Sequence, residues 1–354
     1  MRVLSLLLAV ACGLSRAPVE ARPRQEPGKT AEASAVVRWK GTSYRGADVE
    51  STLGKPVAAA AEPWIPWAQA QGYVLDLDPD SRRLFVHREQ RGASGELAIL
   101  ARALAAVDKL APAPAERPPS VLVILELEGP KDFGLLLDDL GKRFSYLTSW
   151  AQGTKQQLGF VLEQPLAAAF LATSPDVKEW NPKNELANRA TQLALFDRFE
   201  RLPNWLMQGL AWQVEMNVCG SIYCFPSRSG FVAKKEHRSW SEQLKGVMAS
   251  GPDGLRQLSI ADLTGWKRST YENDRALLAW GAANFLAKRR AEALPLILED
   301  LRAIREMESK VTKPDGSWQL NPDYEVPPEK QLEILKARAG EDFLAALGKF
   351  CAGG

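Results

Sequence analysis

Asn184-Glu185-Leu186-Ala187-Asn188, followed by Leu202-Pro203-Asn204-Trp205-Leu206-Met207-Gln208-Gly209-Leu210-Ala211, is the part of this 354-residue chain that decides how the rest is read. Residues four apart on a helix share a face, so Asn184 and Asn188 point the same way, with Glu185 one position round. Pro203 opens a second helix, where the missing N–H of proline costs nothing. Gln208 lies on that helix, nineteen intervening residues after Asn188.

Working outward, the flanking segments divide into a sheet-forming half and a helical half. Tyr73-Val74-Leu75-Asp76-Leu77 alternates like a strand, Asp78-Pro79-Asp80-Ser81 is a turn, and Leu84-Phe85-Val86-His87 returns, which predicts a hairpin. Leu97, Leu100, Leu104 and Val107 recur at helical spacing over 96–110. Val121 to Leu125 predicts a buried strand, 131–144 a helix, and Leu158 to Leu162 a further strand. Beyond Ala167 the periodicity is helical, with expected helices at 184–200, 203–217, 239–250, 271–290, 292–309 and 328–349, and a surface loop at 310–327. The expected class is α+β: a small mixed β-sheet with helices in the N-terminal half, then a mainly α-helical half. The expected divisions are 1–21, 22–60 as a disordered or extended leader, 61–183 as a mixed α/β unit, and 184–354 as a helical unit.

Composition bounds the function. Hydrophobic residues make up 45% and charged residues 25%, as in ordinary globular proteins. The 45 basic and 43 acidic residues leave a net charge of +2, which gives no argument for a nucleic acid or an anionic membrane as partner. Arg2 followed by the apolar run Val3 to Ala11 reads as an export signal, too short to span a bilayer, and no comparable run recurs. Two processing routes stay open. Leu8-Ala9-Val10-Ala11-Cys12 resembles a bacterial lipobox, which makes Cys12 a lipid-anchored first residue; Val19-Glu20-Ala21 offers ordinary signal cleavage. Either route places the chain in the periplasm, on the outer membrane or outside the cell. Cys219 and Cys224 flank a four-residue turn and form a candidate disulfide in an oxidising compartment.

The two opening segments together resemble the gluzincin metallopeptidases, the peptidase MA-like group. That family carries H-E-x-x-H on one helix and, about twenty residues on, a helix reading Pro-x-Trp-Leu-x-Glu-Gly-Leu-Ala-x-x-x-Glu; this chain reads Pro203-Asn204-Trp205-Leu206-Met207-Gln208-Gly209-Leu210-Ala211-Trp212-Gln213-Val214-Glu215. Tyr271 to Ala287 resembles a later helix of the family, so the likeness covers about 184–305. It implies that Asn184, Asn188 and Gln208 stand at the metal-ligand positions and Glu185 at the general-base position. All three ligand positions hold carboxamides, whereas zinc sites use imidazole, thiolate and carboxylate. The chain has two His, His87 and His237, and neither has a His partner at i+4. The expectation is therefore no zinc, no metal-activated water and no peptidase activity. The carboxamides are instead expected to hydrogen-bond where a metal bridges the helices in the family. Three functional readings follow: a retained cleft that binds peptide or envelope-protein segments without cutting them, a hydrolase using Glu185 with an atypical set such as Glu215 with Asp or His237, and a structural envelope protein. A seam packed shut by Trp205, Trp212 or Phe196 argues against the first.

Overall fold

The computed structural model describes residues 37–78, 83–91, 94–116, 120–174, 180–223, 239–251, 255–266, 272–312, 314, 317–321 and 323–353. The expected export signal with Cys12, together with Cys224 and His237, lies outside the described residues. The fold is α+β, as expected. Seven strands form one mixed sheet: β1 (Val37–Trp39), β2 (Thr42–Tyr44), β3 (Tyr73–Asp78), β4 (Arg83–Arg88), β5 (Leu122–Leu127), β6 (Gly159–Leu162) and β7 (Ala167–Leu171), in the order β2-β1-β3-β4-β5-β7-β6. The expected hairpin is β3–β4, antiparallel with Leu75 opposite Val86. β4, β5 and β7 run parallel, and both edges close with antiparallel neighbours.

Side-chain alternation gives the sheet two covered faces. Leu75, Leu84, Val86, Val123 and Leu125 pack under α1 (Lys55–Ala61), α2 (Ile65–Gln71), α4 (Pro130–Arg143) and α5 (Thr148–Thr154). Phe85, Leu122, Ile124, Ala168 and Phe170 face α3 (Ser94–Leu110) and α6 (Pro182–Phe199). Behind these lie α7 (Asn204–Cys219), α8 (Trp240–Met248), α9 (Ile260–Thr264), α10 (Asn273–Arg289), α11 (Ala293–Glu308), α12 (Pro328–Ala339) and α13 (Phe343–Cys351). This second face and the helices beyond it share one continuous core. The division at 183/184 therefore marks a change of secondary structure and not a boundary between cores.

Besides β7, a strand where the helical half was expected to begin, three segments depart from the sequence expectation. Residues 37–60, expected within a disordered or extended leader, begin the fold: β1 joins the sheet beside β3, and Val37, Val49 and Val57 are buried. The Pro and Ala content that suggested a leader instead starts short helices at Pro56 and Pro66. The expected loop 310–327 contains an antiparallel pair, β8 (Lys310–Thr312) with β9 (Trp318–Leu320). The expected helix 328–349 is two helices, because Gly340 adopts φ +110 between them. Among the described residues no helix is long and apolar enough to cross a membrane.

Candidate functional site

α6 is the central helix of the molecule. Asn181 caps it by accepting from the Lys183 N–H at 3.2 Å, and Pro182 follows the cap. The helix lies between the sheet and α7, so every residue from Asn184 to Leu195 is buried. Six of these, Asn184, Glu185, Asn188, Arg189, Thr191 and Gln192, are polar. Buried polar groups need partners, so the contacts of this helix are its chemistry.

On the α7 side the hub is Glu215. Asn184 Nδ2 donates to Glu215 Oε1 at 2.8 Å, and Asn188 Nδ2 donates to Glu215 Oε2 at 2.9 Å. The Tyr223 backbone N–H also donates to Oε1. Asn184 Nδ2 makes a second bond to the Ser221 carbonyl at 2.7 Å, and Gln192 Nε2 donates to Asn188 Oδ1 at 2.5 Å. Asn184, Asn188 and Glu215 are each 0% exposed. The carboxylate also acts on its neighbour: burial, then the nearby Glu215 charge, pushes the Cys219 thiol up to about 11. Cys219 is a free thiol whose Sγ lies 3.7 Å from the Lys183 carbonyl, and its expected partner Cys224 is outside the described residues.

Glu185 faces elsewhere. Its Oε2 takes the Arg189 Nε at 3.3 Å, one turn along the same helix. A Cβ placed on Gly159 of β6 would lie 3.3 Å from that same nitrogen, so the pair sits over the sheet edge. Both residues are below a tenth exposed.

Gln208 is buried on α7, seven residues before Glu215 and about 10 Å away along the helix axis. Counting explains the arrangement. α6 ends at Phe199 and α7 begins at Asn204, so the two form an antiparallel hairpin. Eleven residues back from Phe199 and eleven forward from Asn204 bring Asn188 level with Glu215; Gln208 comes level with Leu195. The structure thus gathers Asn184 and Asn188 around Glu215, with Glu185 turned to the sheet and Gln208 two turns nearer the closed end. In the sequence Glu215 is the last residue of the second motif, and counting along the hairpin is the signal that identifies it as the hub.

The rest of the second motif is packing. Trp205 and Trp212 are buried in the main core, and Trp205 Nε1 donates to Gln331 Oε1 of α12 at 2.9 Å. Phe196 is half-buried. Gly209 lets α7 meet α10: a Cβ there would stand 2.3 Å from the Ala279 carbonyl oxygen. Trp212 stacks on Trp266 at 5.6 Å and meets Trp240 edge-on at 5.2 Å.

A zinc ion, which the resemblance implies for the family, does not suit this donor set. A metal site needs lone pairs directed at one point, and the two Asn side chains direct N–H groups at Glu215 instead. The orientation of Asn184 is fixed by its second acceptor, the Ser221 carbonyl, which a reversed amide oxygen would face at 2.7 Å. Against known proteins, no family model matches the chain and no curated protein matches it.

Proposed function

We propose that this chain is an exported, non-catalytic relative of the gluzincin metallopeptidases, acting as a structural protein of the cell envelope. One observation carries the reading: the Glu215 carboxylate, sealed from solvent, spends both oxygens on N–H groups from the positions that would hold metal. In a zinc site a cation is surrounded by lone pairs. Here an anion is surrounded by N–H donors, and the polarity of the centre is inverted. Such a centre joins two helices but polarises no carbonyl and activates no water. Glu185, held by Arg189 over the sheet, lacks the exposure that a base acting on a peptide requires.

Export, to the periplasm, the outer membrane or the exterior, rests on Arg2 and the apolar run after it, with Cys12 as the residue for a lipid anchor. Peptide or envelope-protein segments, the partners first expected in a retained cleft, would dock away from the α6–α7 seam, because the Asn184–Asn188–Glu215 cluster there is sealed from solvent. The test is to purify the exported form without a His-tag, measure bound zinc by mass spectrometry and assay a broad peptide library. Zinc far below one per chain and no hydrolysis are expected. Stoichiometric zinc, or hydrolysis abolished by Glu185→Gln, overturns the proposal.

A further inference from the structure

α6 ends on a residue that its backbone does not suit. Glu200 closes the helix at φ +60, ψ −138, with its N–H on the Phe196 carbonyl at 2.8 Å. That lies near the first central position of a type II′ turn, about φ +60, ψ −120, where glycine is the usual residue. α2, α7 and α12 end on glycines at positive φ, Gly72, Gly220 and Gly340. Lys40 is the one other non-glycine at positive φ among the described residues. A side chain in this conformation works against it by a factor of about 5–30.

Such strain persists only where the surroundings hold it, and two ion pairs grip this bend. Arg305 of α11, 2% exposed, donates from Nη1 to Glu200 Oε2 at 2.9 Å. The next residue, Arg201, donates from Nη2 to Glu163 Oε1 at 3.0 Å, just beyond β6. Glu200 and Arg201 thus reach in opposite directions, one to the C-terminal helices and one to the sheet edge. Glycine at 200 would relieve the backbone but would also remove the carboxylate that faces Arg305.

The bend sets how α7 lies against α6. If Glu200 relaxes to helical φ, α6 gains a residue, which turns its end by about 100° and advances it by about 1.5 Å. Pro203 disfavours helix at Leu202, so the shortened link must start α7 from a new place. Asn188 lies eleven residues before Phe199, about 16 Å along the axis, and its 2.9 Å bond to Glu215 depends on that alignment.

We propose that the Glu200–Arg201 bend is a strained latch: Arg305 of α11 holds Glu200 at positive φ, and this contact couples the C-terminal helices to the alignment of Asn188 with Glu215. Loss of the contact lets the bend relax, and the relaxation reaches the Glu215 centre.

Substitutions in the full chain distinguish a latch from a local ion pair. Glu200→Ala and Glu200→Gly both remove the carboxylate, but glycine keeps the bend without strain and alanine favours relaxation into helix. In urea unfolding, the folded-to-unfolded ratio of Glu200→Gly is expected to exceed that of Glu200→Ala by about fivefold or more, with both below the unaltered chain. Glu215→Gln is then added to each. Residues this far apart otherwise act additively to within about twofold. Glu215→Gln should lower the ratio by the same factor in Glu200→Gly as in the unaltered chain, and by a factor about fivefold smaller in Glu200→Ala, where the alignment is already lost. An Ala protein as stable as the Gly protein, or a Gly protein more stable than the unaltered chain, overturns the strained hold by Arg305. An equal effect of Glu215→Gln in all three overturns the coupling. If Glu200→Ala does not fold, Arg305→Met, which keeps Glu200 and removes the guanidinium, takes its place: a Glu215→Gln effect equal to that in the unaltered chain overturns the proposal, and a smaller one supports it.

Discussion

The polarity of the Glu215 cluster can be tested by moving its charge across one hydrogen bond. Glu215→Gln keeps the shape but sets an amide N–H₂ where Oε2 stood, so it meets the Asn188 Nδ2 donor head-on at a site where the native separation is 2.9 Å. Bonds to a charged acceptor are worth about 1.5–3 kcal/mol each, and a buried donor left unpaired costs about 1–3 kcal/mol. With part of the Oε1 bonding retained, Glu215→Gln should cost about 3 kcal/mol. Asn188→Asp places two carboxylates in contact inside the core and should cost about 4 kcal/mol. Combining Asn188→Asp with Glu215→Gln restores one donor facing one acceptor. Gln192 still finds an oxygen at position 188, while Asn184 and Tyr223 bond a neutral carbonyl instead of an anion. The double variant should therefore cost about 3–4 kcal/mol, a favourable coupling of about 3 kcal/mol. Urea unfolding followed by Trp fluorescence reads this, since Trp205 and Trp212 lie on the same helix as Glu215. A Glu215→Gln cost within about 0.5 kcal/mol of zero, or strictly additive single effects, would refute the inverted centre.

Two further outcomes follow from contacts elsewhere. Gly209→Ala puts a Cβ 2.3 Å from the Ala279 oxygen and 2.9 Å from its carbon, so α7 and α10 must separate. Despite the better helix propensity of Ala, a loss of about 3 kcal/mol is expected in the urea midpoint, and a gain would show that the helices do not meet there. Asp262 accepts from the Ser259 N–H and hydroxyl and from Arg256; burial raises its carboxyl, but these bonds together hold it below the usual carboxylate range. A lowered carboxylate contributes stability that is present above its unfolded value and lost as the pH falls. Asp262→Asn should therefore flatten the decline of stability below about pH 4, measured by urea titrations across the acid range.

Much of the frame was legible because period and punctuation are local properties. The β3–β4 hairpin, the strand at 122–127 and the helices α3, α4, α6, α7 and α10 follow from alternation, helical spacing and proline placement. β7 was missed because Ala167-Ala168-Ala169 has low strand propensity; it is a strand because it is paired on both sides, and its small side chains suit the close approach of α6. Residues 37–60 differ from expectation for a similar reason: composition alone cannot show that a three-residue strand finds a partner 38 residues away, as Val37 finds Leu75.

The sequence by itself determined which residues occupy the two helices: carboxamides at 184, 188 and 208, a carboxylate at 185, and His at two positions in the whole chain. Those identities set the available chemistry, because an amide cannot become an imidazole. Only the tertiary structure decided which groups meet. The length of the α6–α7 turn brings Glu215 level with Asn188, leaves Gln208 two turns away and rotates Glu185 toward the sheet. A hydrogen bond depends on distances of a few tenths of an ångström between side chains far apart in sequence, and those distances exist only once the helices have packed.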